Sequence, residues 1–196
     1  MAIPIIKYLT HDHREIIIDG SNPFPVTLRD EAGGAAGHLG TVGYDVLEVS
    51  VTPTVTVGAY TAGDALGGLL TFASVVRTAG GSGEIVKVAI VDNALQSAPM
   101  DLVLFNQTFT ANADNAPFGV SDADLQNCLG FIGVENTDYA GFANNCVATK
   151  ASGQQMPFQY KLAAGGSSLF GQLAIRIGDT YGAVNDITVK ITVRRF

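Results

Sequence analysis

The apolar runs of this chain follow one another too closely for helices to fit between them. V-A-I-V-D ends at Asp92, only N-A-L-Q-S-A separates it from Pro99, and D-L-V-L-F-N-Q-T-F starts at Asp101. Neighbouring parallel strands need a crossover of a dozen or more residues, usually a helix. Asp92 is therefore not expected at the carboxyl edge of a parallel α/β sheet, where such enzymes bind ligands. The expectation is an antiparallel return, with Asp92-Asn93 as turn residues and 98–106 as the next strand.

The rest of the chain reads the same way. In D-I-T-V-K-I-T-V-R-R-F, Ile187, Val189, Ile191 and Val193 alternate with Thr188, Lys190, Thr192 and Arg194. That period of two predicts a half-buried strand. L-F-G-Q-L-A-I-R-I-G repeats it through Leu169, Gly171, Leu173, Ile175 and Ile177, and the intervening loop G-D-T-Y-G-A-V-N suggests that the two segments pair antiparallel. Further strands are expected in 44–52, in V-T-V-G-A-Y-T-A-G-D after Pro53, in G-G-L-L-T-F-A-S-V-V-R-T and in E-I-V-K-V-A-I-V-D. The last candidates are 129–136, 146–150 and 158–162. Many short strands with Gly/Pro/Asn-rich turns predict a sandwich or barrel. The best helix signal is S-D-A-D-L-Q-N-C, where Ser121 can cap and Asp124 stands three residues on. The fold class is all-β, an antiparallel β-sandwich with one short helix near 121–128. Residues 1–40, with the glycine-rich A-G-G-A-A-G-H-L-G, are expected to form an N-terminal arm, and 41–196 the β-sandwich domain.

Composition limits what such a sandwich can bind. Only 15% of residues are charged, against a usual ~25%. Little charge has to be desolvated when such a surface meets another protein. The net charge is −7, and Arg194-Arg195 is the sole adjacent basic pair, so a phosphate backbone is not an expected ligand. Basic residues gather late in the chain (Lys161, Arg176, Lys190, Arg194, Arg195) and acids early (Asp12, Glu15, Asp19, Asp30, Glu31, Asp45, Glu48). One end of a copy could thus attract the other end of its neighbour, weakly because of screening. Cys128 and Cys146 are too few for a disulfide scaffold and are expected as two buried thiols. No signal peptide is recognisable at the start and no apolar run is long enough to span a bilayer as a helix, so a soluble product made in the cytoplasm is expected.

Candidate chemistry is sparse. On a strand, His11 and His13 would point to one side and could hold a metal with His38 or a carboxylate, but no third ligand is defined, and a solvated polar patch is the expected reading. Asp114, Asp122 and Asp124 lie in N-A-D-N-A-P-F-G-V-S-D-A-D, which lacks the alternating ligands, central Gly and distal Glu of a calcium loop. Loop and capping roles account for them. Gly58 and Gly63 in G-A-Y-T-A-G-D-A are followed by Asp64, where a phosphate loop needs Lys. A-G-G-S-G is followed by Glu84 and a strand rather than a helix, so both stretches are expected as hairpin turns. No G-x-S-x-G elbow occurs and neither cysteine has a neighbouring His, so no catalytic, cofactor-binding or metal-binding residue is assigned and no enzyme is expected.

Several blocks together carry a resemblance: Y-T-A-G-D-A-L-G-G-L-L-T-F (60–72), G-S-G-E-I-V-K-V-A-I-V-D (81–92), A-P-M-D-L-V-L-F-N (98–106), D-N-A-P-F-G-V-S-D-A-D (114–124) and L-F-G-Q-L-A-I-R-I (169–177). In their order and spacing, from about Tyr60 to Phe196, they resemble structural proteins encoded among the head-assembly genes of tailed bacteriophages. The resemblance implies a capsid-associated protein of the head decoration, or cement, type. It would be a β-sandwich or jelly-roll module that assembles as a homodimer or homotrimer over junctions of the major capsid protein. The location implied is the virion's outer surface, with no catalytic residue, cofactor, nucleic acid or membrane involved. Residues 1–59 fall outside the resemblance. The rival readings are a tail, neck or host-attachment component with a β-sandwich binding module, and a β-sandwich hydrolase or metal-dependent enzyme.

Overall fold

The computed structural model describes residues 45–153 and 155–196 in full, and the backbone of two short strands before them. The chain divides into two compact units, Met1–Gly43 and Tyr44–Phe196. In the first unit, strands β1 (Ile6–Leu9) and β2 (Glu15–Ile18) pair antiparallel, Ile6 opposite Ile18 and Leu9 opposite Glu15. His11, His13 and His38 lie outside the described residues, as does most of the segment expected to form an arm.

The second unit is an antiparallel sandwich. Its strands in chain order are β3 (Asp45–Val51), β4 (Gly58–Ala59), β5 (Ala65–Phe72), β6 (Ser82–Asp92), β7 (Met100–Phe105) and β8 (Cys128–Val134). Then come β9 (Tyr139–Gly141), β10 (Cys146–Lys150), β11 (Phe158–Lys161), β12 (Leu169–Ile175), β13 (Thr180–Tyr181) and β14 (Ile187–Arg195). One sheet has the order β3-β14-β6-β10-β9, with β11 also paired to β6; the other has the order β5-β12-β7-β8. β4 and β13 form a separate two-stranded piece.

The pairings nest. β3 pairs with β14, β5 with β12, β6 with β10 and β7 with β8, all antiparallel, like four rungs of one long folded ribbon. Two further pairings, β14 with β6 and β12 with β7, close that ribbon into two sheets. Apart from β7 and β8, which return beside each other, consecutive main strands therefore change sheets. Between the sheets lies one apolar core, which includes Leu66, Phe72, Ile85, Ile90, Leu102, Ile132 and Leu173.

Local chemistry explains the strands. The alternation expected in β14 is present: Ile187, Val189, Ile191 and Val193 are all fully buried. β6 needs one device to do the same. Its register against β14 slips between Thr192–Lys87 and Val193–Ile85, so Val86 is an extra residue. The bulge lets Ile85 and Val88, three apart, both face the core, and Ile90 and Asp92 follow in phase. The single α-helical turn, α1, spans Asp122–Leu125, and the Ser121 hydroxyl accepts from the Asp124 N–H at 3.1 Å.

Four sequence expectations about connectivity are corrected. The segment of β12 and that of β14 lie in opposite sheets and do not pair, because two strands that each carry one apolar face bury both faces by stacking across the core. β6 and β7 likewise belong to different sheets, so the residues after Asp92 make a crossover and not an antiparallel return. The stretch from Ala79 to Gly83 carries the chain from β5 in one sheet into β6 in the other, and the Gly58–Gly63 stretch leads from the β4–β13 piece into β5. Neither is a hairpin turn. In V-T-V-G-A-Y-T-A-G-D only Gly58–Ala59 is a strand, since this segment runs at the end of the sandwich with no long partner.

Candidate functional site

One end of the sandwich gathers several connections that are bonded to one another. β6 ends there at Asp92, opposite the first residues of both β10 (Cys146) and β14 (Ile187), and β12 ends there at Ile175 opposite Met100 of β7. The connections 52–64, 93–99, 142–145 and 176–186 meet at this end, stitched by bonds from Val55 N–H to Val184 C=O, Tyr60 N–H to Asp179 C=O and Asn93 N–H to Asp186 C=O.

Asp92, fully buried, organises the 93–99 crossover. Its Oδ1 accepts from the Ala94 N–H at 2.8 Å, and its Oδ2 accepts from the N–H groups of Gln96 and Ser97 at 2.8 and 2.9 Å. Leu95 and Ser97 both adopt φ near +57°, which curls the chain around the carboxylate. The Cys146 thiol donates to Oδ2 at 3.5 Å, and the Ser97 hydroxyl donates to the Cys146 sulfur at 3.3 Å. Tyr139 closes the cluster by donating to the Ala98 carbonyl at 3.0 Å.

An Asp–Cys–Ser grouping invites a catalytic reading, and the electrostatics oppose it. Burial pushes the Cys146 thiol above its ordinary value; the Ser97 hydrogen bond draws it back in part, while the Asp92 charge raises it again. Reactive thiols need the opposite surroundings, a cation or helix terminus that favours thiolate. Burial likewise raises the Tyr139 and Tyr181 hydroxyls, with Asp92 the next contributor for each. The carboxylate is occupied by the backbone, so this cluster locks a connection in place.

The other acids are used similarly. Asp114 accepts from the Tyr60 hydroxyl at 2.8 and 2.9 Å and from the Gly67 N–H at 2.5 Å. Asp64 holds the Thr61 N–H at 2.7 Å, and Asp186 holds the N–H groups of Gly182 and Ala183 at 2.8 and 2.7 Å. Glu84 pairs with Arg194 at 2.9 Å. Asp122 and Asp124 belong to the helical turn, where Asp124 also receives the Ser121 hydroxyl, and Asp114 stands apart from them against Tyr60 and Gly67. Among the described residues no group of three His, Cys, Asp or Glu is placed to hold a metal ion, and no helix is long and apolar enough to cross a membrane.

Sequence reasoning missed one buried side chain of consequence. Gln172 occupies an outward position on β12 between the core residues Gly171 and Leu173, yet it is fully buried. The excursion 106–127 passes over it: its Nε2 donates to the carbonyls of Asn112 and Gly67, both at 2.8 Å, and its Oε1 accepts from the Asn112 N–H at 3.0 Å. Period two marks Gln172 as exposed, and only the length of the β7–β8 connection hinted that something would lie across it.

Asp92, Asp114, Asp64 and Asp186 are thus bound to backbone amides, and the loop end also displays apolar side chains. Val57, Leu95, Phe142, Ile177 and Val184 all lie on connections of the same end and are 40–61% exposed. The Leu95 side chain approaches Gly141, next to Phe142, and Val184 is bonded to Val55, two residues from Val57. A rigid, charge-poor end that displays branched and aromatic side chains suits contact with another protein.

The sequence matches no family model, and no curated protein is significantly similar to it.

Proposed function

We propose that this protein is a virion structural component, a head decoration protein that binds the outside of a bacteriophage capsid and bridges major capsid protein subunits. The observation that carries the reading is the nested pairing β3–β14, β5–β12, β6–β10 and β7–β8. We read it as a jelly roll, an architecture used for capsid and lectin domains. The resemblance of residues 60–196 to phage head proteins supports the same reading. So does the commitment of Asp92, Asp114, Asp64 and Asp186 to backbone amides, which leaves them no free role in hydrolysis.

The mechanism is mechanical. A shell loaded with DNA fails at the junctions between capsomers, and a stiff module spanning a junction adds buried area there without altering the shell. Many weak contacts repeated over a lattice combine through effective concentration. Two surfaces are candidates for the contact, the apolar loop end (Val57, Leu95, Phe142, Ile177, Val184) and residues 1–25.

Quantitative mass spectrometry of purified particles tests the reading. Hundreds of copies per particle are expected for head decoration; a few to a few dozen copies would replace it with a tail or neck role, and absence from particles would sink it. Deleting residues 1–25 separates the two contact surfaces. Lost occupancy on a folded sandwich implicates the N-terminal segment, and full occupancy with unchanged heat resistance implicates the loop end.

A further inference from the structure

The edges of the two sheets are not equally protected. β3 carries Asp45 and Glu48, which pair with Arg195 and Lys87. β9 is three residues long, and β11 is four residues ending in Lys161. The edge of β5 is covered by the 106–127 excursion, through Asn115 N–H to Ala65 C=O, Ala65 N–H to Ala116 C=O and the Gly67–Asp114 bond. β8 is different. Its seven residues, C-L-G-F-I-G-V, contain no charge and no proline, and it forms the far edge of its sheet.

The Gly133 N–H is turned away from β7 and is held by the Gln155 side chain at 2.8 Å. Alternation of the ladder turns the N–H and C=O of Phe131, two residues earlier, the same way. Among the described residues nothing pairs with them, and the Phe131 side chain is 50% exposed. The register slip of β8 lies at its first residues and Gly130 has φ +122°, so the strand is regular from Phe131 onward. The flank beside this edge is open. Grooves of about 520 and 400 Å³ run between β8 (Leu129, Gly130, Phe131) and β11 (Phe158, Gln159, Tyr160).

We propose that two copies of this chain pair antiparallel through β8, with the two-fold axis at Phe131. In that register the Phe131 N–H and C=O groups of the two copies bond reciprocally, and the two phenyl rings become a directly opposed cross-strand pair. Gly130 then faces Ile132 of the partner subunit, and the carbonyl of Leu129 of the partner subunit takes the Gly133 N–H in place of the Gln155 side chain. A self-paired strand meets its own sequence, so any charge on it would face a like charge; β8 has none, which is why a second copy fits this edge. Neutral, exposed edges of this length are what folded proteins ordinarily blunt. The proposal does not rest on the virion reading, since it needs only the geometry of β8.

The test is sedimentation velocity of the full chain from about 1 to 100 µM, a range that brackets weak to moderate self-association. The wild-type protein is expected to form a concentration-dependent dimer. Phe131→Lys and Phe131→Glu are each expected to weaken it at least about tenfold, and mixing the two variants to restore a heterodimer through the opposed charges. A readout that needs no substitution accompanies this: the Phe131 amide gains hydrogen-exchange protection at dimer-forming concentration. The proposal is overturned by a wild-type protein that stays monomeric, by a trimer, by a dimer that Phe131→Lys leaves intact, by variants that fold but do not associate on mixing, or by unchanged protection at Phe131.

Discussion

The Tyr60 hydroxyl donates to the carboxylate of Asp114 across a separation of fifty-four residues. It also accepts from the Thr56 N–H at 2.7 Å, so one phenol ties the segment before β5 to the tip of the excursion that covers the outer face of the β5-β12-β7-β8 sheet. The Tyr60 ring packs edge-on against Tyr181, with centroids 5.6 Å apart. Two connections of the loop end and the 106–127 excursion therefore share one side chain.

Tyr60→Phe keeps the ring and removes the bonds. It is expected to lower stability by about 1.5–3 kcal/mol, the range for a hydrogen bond to a charged group, as read by chemical denaturation. Asp114→Ala is expected to cost more, since it also strands the Gly67 N–H. Equal losses for the two variants would show that the Gly67 bond contributes nothing.

Asp92→Ala leaves three loop N–H groups without their acceptor and is expected to cost about 3 kcal/mol or more. Loosening of the 93–99 crossover should also expose Cys146. In the native wild-type protein Cys128, which is half-buried, is expected to react with a thiol reagent before Cys146 does. In the Asp92→Ala variant the two rates should converge, and an unchanged Cys146 rate would remove Asp92 from its proposed locking role.

Gly67 adopts φ +73°, and a Cβ there would sit 2.4 Å from the Pro53 Cβ. Gly67→Ala therefore meets both a disfavoured backbone region and a ring it cannot displace cheaply. A loss of about 3 kcal/mol is expected in thermal or denaturant melts. Gly63→Ala is the control: its φ is also positive, at +93°, but its Cβ would meet open space, so a smaller loss isolates the steric contribution of Pro53.

Burial raises the carboxyl of Asp179 above its ordinary value; the Thr180 N–H opposes this and the Asp92 charge adds to it. A raised folded value means the native state holds this proton more tightly than the unfolded chain does. Stability from this group is then greatest at low pH and falls as pH rises through the interval between the unfolded and folded values. Asp179→Asn removes that penalty while keeping an acceptor for Thr180. Its melting temperature is expected to exceed that of the wild type at pH 7, with the difference closing below about pH 3.8, the ordinary carboxyl value. A difference that persists at low pH would assign the effect to packing.

Strand positions were legible because alternation is local. Ile187, Val189, Ile191 and Val193 declare a buried face without reference to any other part of the chain, and Ser121 with Asp124 declares the helical turn. The all-β class followed from spacer lengths alone. Partners were not legible. β12 and β14 carry matching apolar faces and a turn-like spacer, the pattern of a hairpin, yet they stack in opposite sheets. The roles of Asp92 and Gln172 were hidden for the same reason, since their ligands are backbone groups that no side-chain pattern records.

The sequence by itself determined that this chain makes antiparallel sheets with short connections, because periodicity and spacer length act within a few residues. The tertiary structure alone decided which strands are neighbours, which outward side chains are covered and which edge stays open. Those outcomes depend on how two apolar faces share one core and where the long 106–127 connection comes to rest, and that is a property of the whole assembly of strands.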